Sequence, residues 1–244
     1  MTTGPTVAVL LAAGAGARLG RGPKALLPHG GRPLVEHVAE VLADGGCDTV
    51  VVVLGAQADR VRSEAGLKER PRRPDDAHPR EAAGPRSGRV AVVVNPAWAT
   101  GMASSLRAGV AAALDAGAAR VVVAHVDQPG VRPDDVARLL AAHRPGRVTV
   151  SRWADAARPA PSGESMSAPS SAASPPPARE PNARRGRAHP IVLDPAVAAE
   201  AVATAIGDRG ARDWLDAHAD LIDVVTHPGD GRDVDTEADL DLLR

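Results

Sequence analysis

Short apolar runs separated by helix-length amphipathic stretches limit this chain to few architectures. The runs at Val7–Leu11, Val50–Leu54, Val90–Val94, Val121–Ala124 and Val148–Val150 alternate with helical patterns at Leu34–Ala43, Gln57–Ala65, Ser104–Ala116 and Pro133–Ala142. Strands that are apolar almost throughout are those a parallel sheet buries on both faces, and their alternation with helices implies right-handed βαβ units. Further strand-like runs stand at Ile191–Leu193 and Leu221–Val225, with helical patterns at Ala196–Ile206 and Ala211–Ala217 and a short terminal helix at Glu237–Leu243 begun by Thr236. The expected fold is a three-layer α/β/α sandwich on a mostly parallel, Rossmann-like sheet, whose ligands sit at the carboxyl ends of the strands.

Two stretches do not fit that core. Residues 68–88 and 154–187 contain no Val, Leu or Ile, and the second carries Pro175-Pro-Pro177. Neither can bury enough apolar surface to offset the entropy of ordering, so both are expected to be disordered insertions. As linkers they would leave pieces such as Ala188–Arg244, too small to hold a core unaided, so one domain over residues 1–244 is expected.

A formal net charge of −1 provides no broad basic field for nucleic acid. No apolar run reaches the roughly 18 residues of a membrane span. The single cysteine, Cys47, excludes an intrachain disulfide and fits a small buried side chain in a reducing cytoplasm. Val7–Ala17 imitates a signal-peptide core, but no Lys or Arg precedes it. With no Phe and no Tyr, Trp98, Trp153, Trp214 and the histidines are the aromatic rings available, so base recognition must lean on backbone groups.

Behind the first strand stands Leu11-Ala-Ala-Gly-Ala-Gly-Ala-Arg-Leu-Gly20, followed by Pro23-Lys24. Gly14 and Gly16 let the backbone turn and approach an anion, while Arg18 and Lys24 supply charge. A P-loop would end in Gly-Lys-Ser/Thr, which is missing here. A dinucleotide fingerprint would place its third glycine one position before Gly20. A tight turn with two surface cations remains a competing explanation.

With both alternatives removed, the segment resembles the L-A-A-G-x-G-x-R-x-G…P-K signature of MobA-like NTP transferases, specifically their molybdenum cofactor cytidylyltransferase-like branch. Asn95-Pro-Ala-Trp-Ala-Thr-Gly-Met-Ala-Ser-Ser-Leu-Arg-Ala-Gly109 resembles a second motif of that family. It opens a helix with Thr100 or Ser104 available as N-cap, and its free amides could face a phosphate or a base. The resemblance implies a nucleotide site made of Leu11, Ala12, Ala13, Gly14, Gly16, Arg18, Lys24, Gly101, Met102, Ser104 and Ser105. Within it Arg18 and Lys24 would meet the triphosphate and the transition state.

Asp127, in Val126-Asp-Gln-Pro129, stands at the end of a buried strand, where capping and metal binding are both open. The resemblance makes it a catalytic Mg²⁺ ligand. Magnesium is served by one or two carboxylates plus waters and substrate oxygens. The second ligand implied is Asp235, with Asp233 as substitute, in Gly231-Arg-Asp-Val-Asp-Thr-Glu-Ala-Asp-Leu240; Ala238 replaces the family's usual Glu there and its Pro is missing. Ala188-His-Pro-Ile191 and Gly207-Asp-Arg-Gly-Ala-Arg212 resemble acceptor-side motifs, which makes His189, Asp208 and Arg212 candidates, each also explicable as a surface or capping residue.

What the resemblance implies is an enzyme that moves a nucleotidyl group from an NTP to the phosphate of a small-molecule acceptor. Ala13, where guanylyltransferases carry Gly, goes with CTP, and the implied acceptor is a molybdopterin-type cofactor. A molybdenum hydroxylase or its accessory protein is the implied partner. A sugar, polyol or phospholactate acceptor and a non-catalytic nucleotide-binding scaffold are the alternatives.

Overall fold

A computed structural model describes residues 4–67, 89–154, 188–229 and 231–244. The expected insertions at 68–88 and 154–187 lie outside the described residues, apart from Ala154. In chain order the elements are β1 (Thr6–Leu11), β2 (Pro28–His29), β3 (Arg32–Pro33), α1 (Leu34–Asp44), β4 (Thr49–Leu54), α2 (Ala58–Glu64), β5 (Arg89–Val94) and α3 (Met102–Asp115). They continue with β6 (Arg120–His125), α4 (Pro133–Ala142), β7 (Val148–Trp153), β8 (Ala188–Leu193), α5 (Pro195–Ala203), α6 (Arg212–Ala217) and β9 (Ile222–His227), and Glu237–Leu243 forms a 3-10 helix.

The seven-stranded sheet has the order β5-β4-β1-β6-β8-β7-β9. From β1 the chain builds outward through β4 and β5, then returns to place β6 on the other side of β1. That reversal opens a crevice between the carboxyl ends of β1 and β6, where doubly wound sheets take their ligands. β8 pairs antiparallel with both β6 and β7 while every other pairing in this sheet is parallel.

Alternation along β1 divides the core. Ala8 and Leu10 pack with Leu34, Val38 and Leu42 of α1 and Val136 and Leu139 of α4, whereas Val7 and Val9 face Leu106 and Val110 of α3, Ala198 of α5 and Trp214 of α6. Aliphatic side chains dominate both layers, as the near absence of aromatic residues requires. Cys47 is buried, and desolvation pushes its thiol up to about 12, which fits a packing residue. Among the described residues no helix is long and apolar enough to cross a membrane.

Local differences from the expected elements have physical causes. The α3 helix begins at Met102, and its N-cap is Gly101 rather than Thr100 or Ser104. Gly101 has φ +112°, and a Cβ there would come within 2.5 Å of the Gly207 carbonyl carbon, so glycine alone fits. The Ser104 hydroxyl sits inside the first turn, accepting from Asn95 Nδ2 at 2.8 Å and donating to the Gly101 carbonyl at 2.8 Å. The α5 helix stops at Ala203, short of Ile206, which bridges instead to Gly210. Thr236 does begin the terminal helix, through a capping box with Asp239.

Candidate active site

The crevice contains a cavity of about 430 Å³. Its first wall is the loop after β1. Gly16 adopts φ +65° and its carbonyl accepts the amides of Leu19 and Gly20 at 3.2 and 3.1 Å, which folds Arg18 back to the mouth. Leu11, Ala13, Gly14, Gly16, Arg18 and Lys24 all line the cavity. Ala12 does not: it is buried and its amide donates to the Val53 carbonyl at 3.0 Å, so the expected contact through that amide is not available. Arg18 is exposed and makes no ion pair among the described residues.

The second wall is the start of α3. Gly101, Met102 and Ser105 face the cavity, while Ser104 is turned toward Asn95 and lies outside it. Asn95, buried at the end of β5, holds both serines through Nδ2, at 2.8 Å to Ser104 and 3.0 Å to Ser105. The helix start is not open to an incoming anion at every amide, because Met102 N–H already donates to Asp208 Oδ1 at 3.2 Å. Asp208, from a 3-10 turn at Gly207–Arg209 far along the chain, thereby caps α3 and joins the cavity lining.

The floor carries the charges. Val234 is fully buried and donates its N–H to the Asp127 carbonyl at 2.8 Å, which seats the C-terminal segment beside the end of β6. That bond sets the carboxylates of Asp127 and Asp235 around one ammonium: Lys24 Nζ lies 2.8 Å from Asp127 Oδ2 and 2.5 Å from Asp235 Oδ1. Burial works against the charge on Lys24, but the hydrogen bonds and charges of the two aspartates outweigh it and hold its ammonium above the ordinary lysine range. Asp235 lines the cavity and Asp233 does not. Asp233 keeps a solvent-accessible side, yet its carboxyl is pushed up to about 6, first by desolvation and then by the charge of Asp127.

Asp127 Oδ1 is buried without a hydrogen-bond partner, an orphaned acceptor that a cation would satisfy. Among the described residues no three His, Cys, Asp or Glu side chains converge as a cage. Two carboxylates and one orphaned oxygen nevertheless fit a hard divalent ion that completes its shell with water and substrate oxygens.

Two rings on the cavity were not among the expected site residues, Trp98 although it belongs to the second motif and His125 because it lies in none. Trp98 and His125 both line the cavity, and His125 stacks on His189 with centroids 3.9 Å apart. Burial holds both histidines below their usual range, and for His189 the charges of His125 and Arg212 add to it. His189 therefore stands behind His125, and neither His189 nor Arg212 reaches the cavity wall. A histidine closing a buried strand just before the Asp127 motif was the available signal for His125, whereas its stacking on the distant His189 left none in the sequence.

Comparison with known proteins adds the following. Residues 8–221 match the MobA-like NTP transferase domain. The chain is 42% identical over 230 residues to nicotine blue oxidoreductase of Paenarthrobacter nicotinovorans, covering 93% of this chain and 91% of that one. Rv0371c from Mycobacterium tuberculosis H37Rv superposes with a TM-score of 0.68 at 24% identity, covering 97% of this chain and 96% of that one. The same protein in complex with manganese gives 0.65 at 23% identity and 98% of both chains.

Proposed function

Because the chain belongs to the MobA-like NTP transferase family and is a nucleotidyltransferase, we propose that it moves CMP from CTP to the phosphate of a molybdopterin-type acceptor in the cytoplasm. The observation that carries the transfer chemistry is Lys24 bridging Asp127 and Asp235 on the floor of a cavity whose wall is the Gly14–Gly16 loop. An acceptor phosphate oxygen attacks the α-phosphorus, a new P–O bond forms, and the α–β bridging bond breaks with its electron pair leaving on pyrophosphate. Asp127 and Asp235 hold Mg²⁺, which supplies charge neutralisation for the phosphates and the leaving group. Gly14 and Gly16 let the backbone lie against the triphosphate, and Arg18 and Lys24 stabilise the charge that builds on it. Asp208 faces the acceptor, with Arg212 and His189 supporting that side from behind. CTP is favoured by Ala13 in the Leu11–Gly14 segment, and a molybdenum hydroxylase is the partner this acceptor would serve.

Pyrophosphate release measured across CTP, GTP and several phosphorylated acceptors tests this. Turnover with CTP and molybdopterin is expected, and release only with a sugar or polyol phosphate would replace the acceptor. Asp127→Asn should lower the rate at least about 100-fold with the fold intact by circular dichroism.

The relative that is 42% identical over 93% of this chain bears the name of an oxidoreductase, which favours a second reading. Here the same cavity serves an oxidation–reduction, as that relative's name states of that protein. Consumption of reduced nicotinamide with a dye acceptor, unaffected by Asp127→Asn, would establish it, and no such consumption would refute it.

A further inference from the structure

Five charged side chains line the cavity, Arg18 and Lys24 against Asp127, Asp208 and Asp235. Lys24 is spent on two of the carboxylates, at 2.8 and 2.5 Å, and Asp208 on the start of α3. A triphosphate arriving alone therefore meets one uncommitted cation, Arg18, beside a cluster of acids. A divalent ion arriving alone finds the position between Asp127 and Asp235 filled by an ammonium, with which it would compete at contact distance. The side chains of Lys24 and Asp127 are only 16% and 20% exposed, so solvent screens the competition weakly at Asp127 and more strongly at Asp235, which is 43% exposed.

We infer that Lys24 is the resident cation of the metal position, a gate that admits the divalent ion only when a triphosphate gives the ammonium a new anion. The inference rests on the metal assignment proposed above and concerns a step before the chemistry. Once phosphate oxygens lie against the Gly14–Gly16 wall, which Lys24 shares, the ammonium exchanges two carboxylates for phosphate, and both aspartates become free to ligate. The orphaned, buried Asp127 Oδ1 then gains its partner. Linkage requires the effect to be mutual: whatever factor the nucleotide adds to metal affinity, the metal adds to nucleotide affinity. Direct coordination of the ion by phosphate also couples the two, so the gate is isolated by measuring the metal without nucleotide.

The probe is Mn²⁺ alone, followed through the electron paramagnetic resonance signal of the free ion in titrations of the full chain. Lys24→Met should bind Mn²⁺ about ten- to a hundredfold more tightly than the wild type, the range one charge-assisted pair commands. Lys24→Arg retains a cation and should bind as weakly as the wild type, which separates charge from packing. Adding Asp127→Asn to Lys24→Met should abolish the gain. Should Lys24→Met fold poorly, Lys24→Gln serves the same purpose. Equal or weaker Mn²⁺ binding in Lys24→Met and Lys24→Gln, or a gain that survives Asp127→Asn, overturns the gate. Pyrophosphate release is scored separately: an inactive chain with the expected Mn²⁺ pattern refutes the transfer reaction alone, and an active chain without it refutes the gate alone.

Discussion

Three glycines in the loop after β1 place different demands on an added methyl group, and their alanine variants separate backbone strain from steric conflict. At Gly16, φ is +65° and a Cβ would sit 2.0 Å from the Gly22 carbonyl oxygen and 3.4 Å from the Lys24 amide nitrogen. The left-handed conformation costs an alanine about 1–2 kcal/mol. Relieving the contact requires the Gly22–Lys24 backbone to retreat by roughly 1 Å, an overpacking cost of about 1–2 kcal/mol more. Gly20 has φ +69° with nothing within 4 Å, so only the first cost applies. Gly14 has neither problem, and it faces the cavity.

Gly16→Ala is therefore expected to lose about 2–4 kcal/mol, or about 5–15 °C in thermal midpoint for a domain of this size. Gly20→Ala should lose about half of that, and Gly14→Ala should stay within about 0.5 kcal/mol. The same retreat displaces Lys24, and a displacement of about 1 Å in a positioned group can lower turnover about 100-fold. Gly16→Ala should thus lose kcat at temperatures where it remains folded, Gly20→Ala should keep it, and Gly14→Ala should raise KM for the nucleotide at unchanged stability. Differential scanning calorimetry and steady-state pyrophosphate release read both quantities. Equal midpoints for the Gly16 and Gly20 variants, or wild-type kcat in Gly16→Ala, would refute the argument from the Gly22 contact.

Two other sites give independent expectations. Asp208→Ala removes the carboxylate that caps Met102 N–H at 3.2 Å, so about 0.5–1 kcal/mol of stability should go with it; if Asp208 faces the acceptor, KM for the acceptor rises while KM for the NTP holds, and a rise in the NTP value alone would move Asp208 to the nucleotide side. Asp223 on β9 is held by Arg147 at 2.8 Å and Arg144 at 2.7 Å, and these two bring its carboxyl down to about 2. A lowered carboxylate stabilises above its unfolded pKa, near ~4, and loses that contribution as pH falls through its folded value. Asp223→Asn should cost about 1 kcal/mol at neutral pH after solvent screening, a deficit in urea midpoint that shrinks below pH ~4 and closes near pH ~2; a deficit independent of pH would assign the loss to packing.

Strand and helix positions were legible because burial on both faces leaves an imprint that needs no partner to read: Val50–Leu54 is apolar wherever its neighbours lie. The direction of β8 was not, since it depends on which strands flank it and on a connection whose residues carry no periodicity. The start of α3 was misplaced for a related reason. Thr100 and Ser104 satisfy the local rule for an N-cap, but the contact that selects Gly101 comes from Gly207, and the cap itself comes from Asp208. Lys24, Asp127 and Asp235 stood out one by one through their motifs, yet their meeting at one ammonium spans separations of 103 and 211 residues and is visible only in the fold.

A fold does not by itself choose between the two readings proposed above. The charges do discriminate. A site for hydride transfer needs a reductant and a planar substrate held face to face, and Trp98 and His125 on the cavity wall could serve that, but nothing in such a reaction calls for two carboxylates converging on one cation. Transfer of a nucleotidyl group calls for that feature directly, since charge accumulates on phosphate oxygens and must be met by a metal and by cations. Holding Lys24 and Asp127 largely out of water beside the more exposed Asp235 also has a desolvation cost that a purely structural ion triad would recover poorly, since well-packed apolar side chains serve stability as well or better. Replacing the three together by Met, Leu and Leu therefore tests what the triad is for. If it is functional, that variant should keep or gain stability while losing pyrophosphate release entirely; a large loss of stability would make the triad part of the scaffold and leave the aromatic wall as the stronger guide to function.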